Sequence, residues 1–168
     1  AQRLLAVVGP RGVGKTTMLL QFAANEFGNP QVALYISADH VHVVAEGLYA
    51  IAAEHHNNGG KVLCIDEIHK YPNWAQELKN IYDSYPEMRL IVSGSSALQI
   101  ANQMKDEKPD LILAIATPTA QAAVQKIKDI PIVFSAITDP VAAKLVESNV
   151  KPGGNATGMS DMIPFQRQ

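Results

Sequence analysis

The stretch Gly9-Pro10-Arg11-Gly12-Val13-Gly14-Lys15-Thr16 restricts this chain more than any other feature. It fits the spacing G-x-x-x-x-G-K-[ST] throughout. Glycines let successive backbone N–H groups curl around an anion with no Cβ in the way. The helix that starts near Lys15 adds unpaired N–H groups and the positive end of its dipole. Lys15 brings a point charge to outer phosphates, and the Thr16 hydroxyl is a ligand for Mg²⁺. Leu4-Leu5-Ala6-Val7-Val8, just before, is apolar without alternation, as expected of a parallel strand covered on both faces. Strand, anion-holding turn and helix in that order commit the chain to a layered α/β fold.

The same rhythm continues along the 168 residues. A helix is predicted from Lys15 to Phe27, and Val32–Ile36 is a second strand. Val41, Val44, Leu48 and Ile51 step by three and four, which predicts one amphipathic helix. Val62–Ile65 and Leu90–Val92 are further buried strands, separated by a helix carrying Trp74, Leu78, Ile81, Tyr82 and Tyr85. A helix over 97–106 follows, then a strand over Leu111–Ala116. Thr117 is expected to cap a helix whose first residue is Pro118, with Ala120, Ala123, Val124 and Ile127 inward. Ile132–Phe134 is a sixth strand. Asp139-Pro140 predicts another helix, with Val141, Ala142, Leu145 and Val146 inward, and Ala156–Ser160 adds a short edge strand. Alternating strands and helices imply right-handed crossovers and a parallel sheet between two helical layers. Ligands bind such sheets at the carboxyl ends of the strands.

That edge gathers Gly9–Thr16 with Asp66-Glu67, Ser93–Ser95, Thr117 and Thr138-Asp139. Asp66, ending a buried strand, is placed to hold Mg²⁺ through water, with Thr16 as a ligand, and Glu67 to orient or deprotonate an attacking water. Thr17 extends the phosphate-binding set, and Ser93 or Ser95, at the end of the fourth strand, is a candidate sensor of the terminal phosphate. The histidines His55, His56 and His69 have no ligand set around them and read as exposed helix-end residues. Composition narrows the remaining choices. The net charge is −2, from 14 basic and 16 acidic residues, which gives no electrostatic reason for a nucleic-acid or membrane partner. A lone cysteine, Cys64, excludes an internal disulfide framework and a thiolate zinc site. No apolar run reaches the roughly 18 residues of a membrane span, and with no leader a cytoplasmic location is expected.

Residues 1 to about 98 resemble the prokaryotic, especially archaeal, AAA-type P-loop ATPases. Gly9–Thr17 matches their Walker A loop, Ile65-Asp66-Glu67-Ile68-His69-Lys70 their Walker B segment, and Ser93-Gly94-Ser95-Ser96 their sensor strand. The resemblance implies ATP or ADP, Mg²⁺, and a sensor strand lying between the Walker A and Walker B strands. The arginine-bearing segment and helical lid of that family do not follow Leu98. Instead, residues from about Ala101 to Met162 resemble the substrate-binding proteins of ABC transporters, with the type I periplasmic-binding fold. The matching text includes Lys108-Pro109-Asp110-Leu111-Ile112, Ile130–Ala136, Thr138-Asp139-Pro140 and Lys151–Gly158. In that family, Thr117 and Thr138-Asp139 match loops facing the ligand cleft.

The two resemblances together predict a single α/β/α domain over 1–168, with a mainly parallel sheet in the order 2-3-4-1-5-6. A P-loop NTPase-like half (1–98) joins a flavodoxin- or periplasmic-binding-like half (99–168). The expected origin is an engineered chimera, joined in the helix around Leu98–Met104. The expected function is nucleotide-phosphate binding with little or no hydrolysis. The alternatives are a scaffold that binds only stray phosphate or sulfate, and a small-molecule binder using Thr117 and Thr138-Asp139. The sequence leaves the oligomeric state open.

Overall fold

The computed structural model describes residues 3–27, 29, 31–103 and 108–161. Its elements are β1 (Leu4–Val8), α1 (Lys15–Phe27), β2 (Ala33–Ser37), α2 (Val41–Glu46), α3 (Leu48–Asn57) and β3 (Val62–Asp66). After a 3₁₀ turn at Ile68–Lys70 come α4 (Trp74–Ser84), β4 (Arg89–Gly94), α5 (Ala97–Gln103), β5 (Leu111–Ile115), α6 (Thr117–Lys126), β6 (Ile132–Ile137) and β7 (Ala156–Ser160). The strands form one seven-stranded sheet, β2-β3-β4-β1-β5-β6-β7, with every neighbouring pair parallel. The predicted order is found, and β7 extends it past β6.

A single crossover hand explains how the helices divide. Only the β1-to-β2 connection runs outward from the centre to the β2 edge; every later one advances the other way. Right-handed crossovers therefore put α1 on one face and the later helices on the opposite face. The core follows this division. Val7, Leu19, Ala33, Val62, Cys64, Ile91 and Ile115 pack together on the α1 side. A larger cluster on the other side runs from Leu4 through Leu63, Leu78 and Ile100 to Phe134 and Ala156. Alternate residues of β1 serve the two clusters, as a strand buried on both faces must. Fully buried side chains such as Leu63, Ile65, Leu78 and Ile81 each contribute about 1.5–3 kcal/mol relative to exposure.

The β1–β5 seam is tied by more than its ladder. Asp110 Oδ2 accepts from the N–H groups of Arg3 (2.7 Å) and Leu4 (2.9 Å), and the Asp110 N–H donates to Leu4 O (2.9 Å). Arg3 in turn stacks its guanidinium 3.7 Å from the Tyr82 ring centroid and donates to Tyr82 O (3.1 Å). One end of β1 is thereby bound to both α4 and β5.

Several expectations change. The helix predicted through Val41, Val44, Leu48 and Ile51 is two helices, broken at Gly47, whose φ of 96° suits glycine. The break resets the helical phase. Val43 is buried, while Val41 and Val44 are 71% and 46% exposed. The helix expected after Asp139 is a short turn. Asp139 Oδ1 caps the N–H groups of Val141 and Ala142 as predicted for a start. Lys144 then takes φ 57° and ends the winding, leaving Leu145 buried and Val141 exposed. Helix α6 begins one residue early: Ala116, at φ 73°, is the capping residue, and Thr117 is already helical. His55 is buried, not exposed, with Nε2 3.0 Å from Val62 O. In the predicted seam, Ile100 is buried and Leu98 and Ala101 are half-buried; Met104 lies outside the described residues.

Candidate functional site

Parallel pairing brings the carboxyl ends of β1, β3 and β4 to one edge. The loop after β1 is locked there by the Gly9 N–H, which donates to Gly94 O (3.2 Å) at the end of β4. Gly12 and Gly14 take φ 81° and 89°, angles that L residues rarely adopt, and so turn the chain from β1 into α1. Val13, half-buried, packs into the α1-side core and fixes the loop from beneath.

Lys15 is only 5% exposed. Its Nζ donates to Gly9 O (2.9 Å) and Pro10 O (3.1 Å) and lies 3.8 Å from Glu67 Oε1. A cavity of about 520 Å³ opens around it, lined by Arg11, Gly12, Gly14, Lys15, Thr16 and Thr17 from the loop side. Asp66, Glu67, Tyr35, Ser37, Asp39 and Lys70 line it from the β2–β3 side. The expected residues thus converge, with three refinements. Gly9 and Pro10 contribute carbonyls to Lys15. Val13 is structural. Ser93 is fully buried and stands behind Asp66, not in the cavity wall.

Asp66 is the best-connected side chain of the site. Oδ2 accepts from Thr16 Oγ1 (2.5 Å) and Tyr35 OH (3.0 Å). Oδ1 accepts from Ser93 Oγ and from the Glu67 N–H (3.1 Å). The Glu67 N–H also donates to Ser93 Oγ (3.0 Å), which holds Glu67 at φ 53°. A left-handed glutamate costs about 1–2 kcal/mol, and these bonds offset it. The twist aims the Glu67 carboxylate at two cations, Lys15 (3.8 Å) and Lys70 (3.6 Å), and at the His69 ring (3.7 Å). His69 Nδ1 is buried with no hydrogen-bond partner.

The sequence reading missed Tyr35, Ser37, Asp39 and Lys70. Burial, and next the Asp66 carboxylate, push the Tyr35 hydroxyl up to about 12, so it remains a donor. The hydrogen bond from Lys70 (2.6 Å), with a second from Ser37, lowers Asp39 to about 2. Lys70 is raised by the same bond. The signal was indirect. Tyr35 and Ser37 pair in register with Cys64 and Asp66, so the end of β2 had to share the edge of β3. In the core beneath that edge, burial alone pushes the Cys64 thiol up to about 11. Thr117 and Thr138-Asp139 lie at the ends of β5 and β6, and Asp139 is occupied as a cap.

A parallel sheet between two helical layers, with a glycine loop after its central strand and paired carboxylates on the same edge, defines an α/β protein. Family models make this specific: the chain belongs to the AAA domain family over residues 1–117 and to the ABC transporter substrate binding protein family over residues 83–168. The matches overlap from β4 to β5, with α5 inside. A tyrosine-binding protein of Clostridioides difficile (strain R20291) is 53% identical over 68 residues, 40% of this chain and 20% of that protein. A conserved domain protein from Vibrio cholerae O1 biovar El Tor is 38% identical over 62% of this chain and 40% of its own, with a TM-score of 0.41. The replication initiator DnaA bound to AMPPCP and single-stranded DNA is 17% identical over 74% of this chain and 44% of its own, with a TM-score of 0.48. The chain therefore spans less than half the length of each of these three proteins.

Proposed function

We propose that the chain binds the phosphates of ATP or ADP with Mg²⁺ in the cavity around Lys15, and hydrolyses ATP slowly or not at all. The observation that carries this reading is the buried Lys15 ammonium, held by its own loop beside the Thr16–Asp66 pair. Loop N–H groups, a cation and a helix start serve an anion. The Thr16 hydroxyl and Asp66 carboxylate are hard oxygen donors, which fits Mg²⁺. Glu67 is the residue for orienting water. Related phosphoryl-transfer catalysts gain about 10³–10⁵ from an added arginine. Here the cations lining the cavity are Arg11, Lys15 and Lys70, and Lys70 is paired with Asp39. ADP or ATP with Mg²⁺ is expected to raise the melting temperature, and Lys15→Ala to remove the rise. An equal rise in the variant removes the assignment.

The kinship of the second half favours another reading: a small-molecule binder working through Thr117 and Thr138-Asp139. Its support is the 53% identity to a protein named for tyrosine binding. Calorimetric titration with tyrosine separates the two, because heat that persists in Lys15→Ala belongs to this second site. The family matches also support one α/β unit joined through α5 from an ATPase-derived segment, 1–98, and a binding-protein-derived segment, 99–168, as in an engineered chimera. A cytoplasmic setting accompanies the nucleotide reading.

A further inference from the structure

Among the described residues, β2 forms one edge of the sheet. The Val62 N–H donates to Val32 O (3.0 Å) and the Ala38 N–H to Asp66 O (2.9 Å), so the even-numbered residues of β2 turn their backbone groups to β3. Ala33, Tyr35 and Ser37 turn theirs outward. The Ala33 N–H and Ser37 O are used locally, by Asn29 O (3.4 Å) and the His40 N–H (3.0 Å). Ala33 O, both backbone groups of Tyr35 and the Ser37 N–H remain as a row with no described strand beside it. Such a row is a template for another strand. A groove of about 550 Å³ lies next to it, between β2 and the α2–α3 pair, on the face away from α1. Val43 and the half-buried Leu34, Ile36 and Ile51 give it an apolar floor. Its carboxylates, Glu46 and Glu54, are exposed, and among the described residues no lysine or arginine lines it.

We propose that the β2 edge and this groove together bind an extended basic peptide segment, which adds to β2 as a further strand. The backbone of the segment pairs with the open row at Ala33, Tyr35 and Ser37, as in other cases of strand addition. Successive side chains of a strand point to opposite faces, so every second one enters the groove. A lysine or arginine there lays its aliphatic stem on Leu34, Ile36 and Ile51 and brings its charge to Glu46 or Glu54. An acidic segment would meet two like charges and no cation. The groove and the cavity around Lys15 share no lining residue, so this site stands apart from the nucleotide reading.

The test is the fluorescence anisotropy of a labelled Lys-Val-Lys-Val-Lys peptide titrated with the wild type and with the double variant Glu46→Gln, Glu54→Gln. Two further peptides, titrated with the wild type, separate backbone from charge: the same sequence N-methylated throughout, and one with glutamate in place of lysine. Saturable binding of the basic peptide is expected. Removing its N–H donors is expected to weaken binding about tenfold or more. Removing the two exposed carboxylates is expected to weaken it about fivefold, and the glutamate peptide is expected not to bind. No saturable binding to the wild type overturns the proposal. So does an affinity unchanged by N-methylation, by the double variant or by exchange of lysine for glutamate. Sedimentation of the wild type alone tests the competing occupant: a dimer that excludes the peptide assigns the edge to a second copy of the chain and overturns the proposal as well.

Discussion

Asp39 and Lys70 show how a pair at the rim of the cavity couples stability to pH. The Lys70 bond holds Asp39 near 2, below its ordinary value, so the pair's contribution is present above about pH 4 and is lost as pH falls through about 2. On the basic side, Lys70 is raised, so the contribution holds below its ordinary range and fades only as pH rises through the elevated value. Both partners are exposed by more than a third, which screens the interaction. Asp39→Asn should therefore flatten the acid limb of the urea midpoint between pH 4 and 2, with the difference shrinking at high salt. A variant curve parallel to the wild type's removes this coupling. Of the site residues, Lys15, Thr16, Asp66 and Glu67 were legible because their chemistry is local: a spacing rule and a strand end. Tyr35, Asp39 and Lys70 were not, because their role depends on which strand lies beside β3.

At the scale of elements, apolar runs identified six strands, and the short Ala156–Ser160 run completes the sheet. Helices were legible where periodicity was unbroken, as in α1 and α4. The periodic reading failed across Gly47, where a three-four stepping of valines continued through a residue that breaks the helix. Periodicity cannot register a change of phase when side chains on both faces are apolar. Gly47→Ala forces a side chain into a backbone region kept for glycine and should cost about 1–3 kcal/mol, read as a lower urea midpoint with an unchanged slope. No loss would mean that α2 and α3 can join as one helix. The second failure, after Asp139, has a related cause. The cap and proline start a turn, but Lys144 in a left-handed conformation ends it before a second turn forms.

For the whole molecule, the order of the strands explains the site. The glycine loop begins the connection that runs from central β1 out to the β2 edge, and it is flanked by β4 on one side and β5 on the other. The β5 side approaches closely: a Cβ placed on Gly9 would stand 3.2 Å from Ile115 Cβ. Segments of two families thus share one sheet, one buried cluster from Leu4 to Ala156, and the Arg3–Asp110 tie. We propose that they unfold together. Urea transitions followed by far-ultraviolet circular dichroism and by fluorescence of Trp74 in the first half should coincide. Separate midpoints would show two units. The sequence made the mixed kinship and strand order legible through two sets of motifs; the fit between them depends on contacts such as Asp110 with Arg3, which no motif records.

The central claim is that the Lys15 loop is a nucleotide-phosphate site, and titration calorimetry with ATP and with inorganic phosphate, both in Mg²⁺ buffer, tests it most directly. The account predicts saturable heat with ATP, weaker binding of phosphate, and neither in Lys15→Ala. Equal affinity for ATP and phosphate, or ATP binding that survives the substitution, would contradict it.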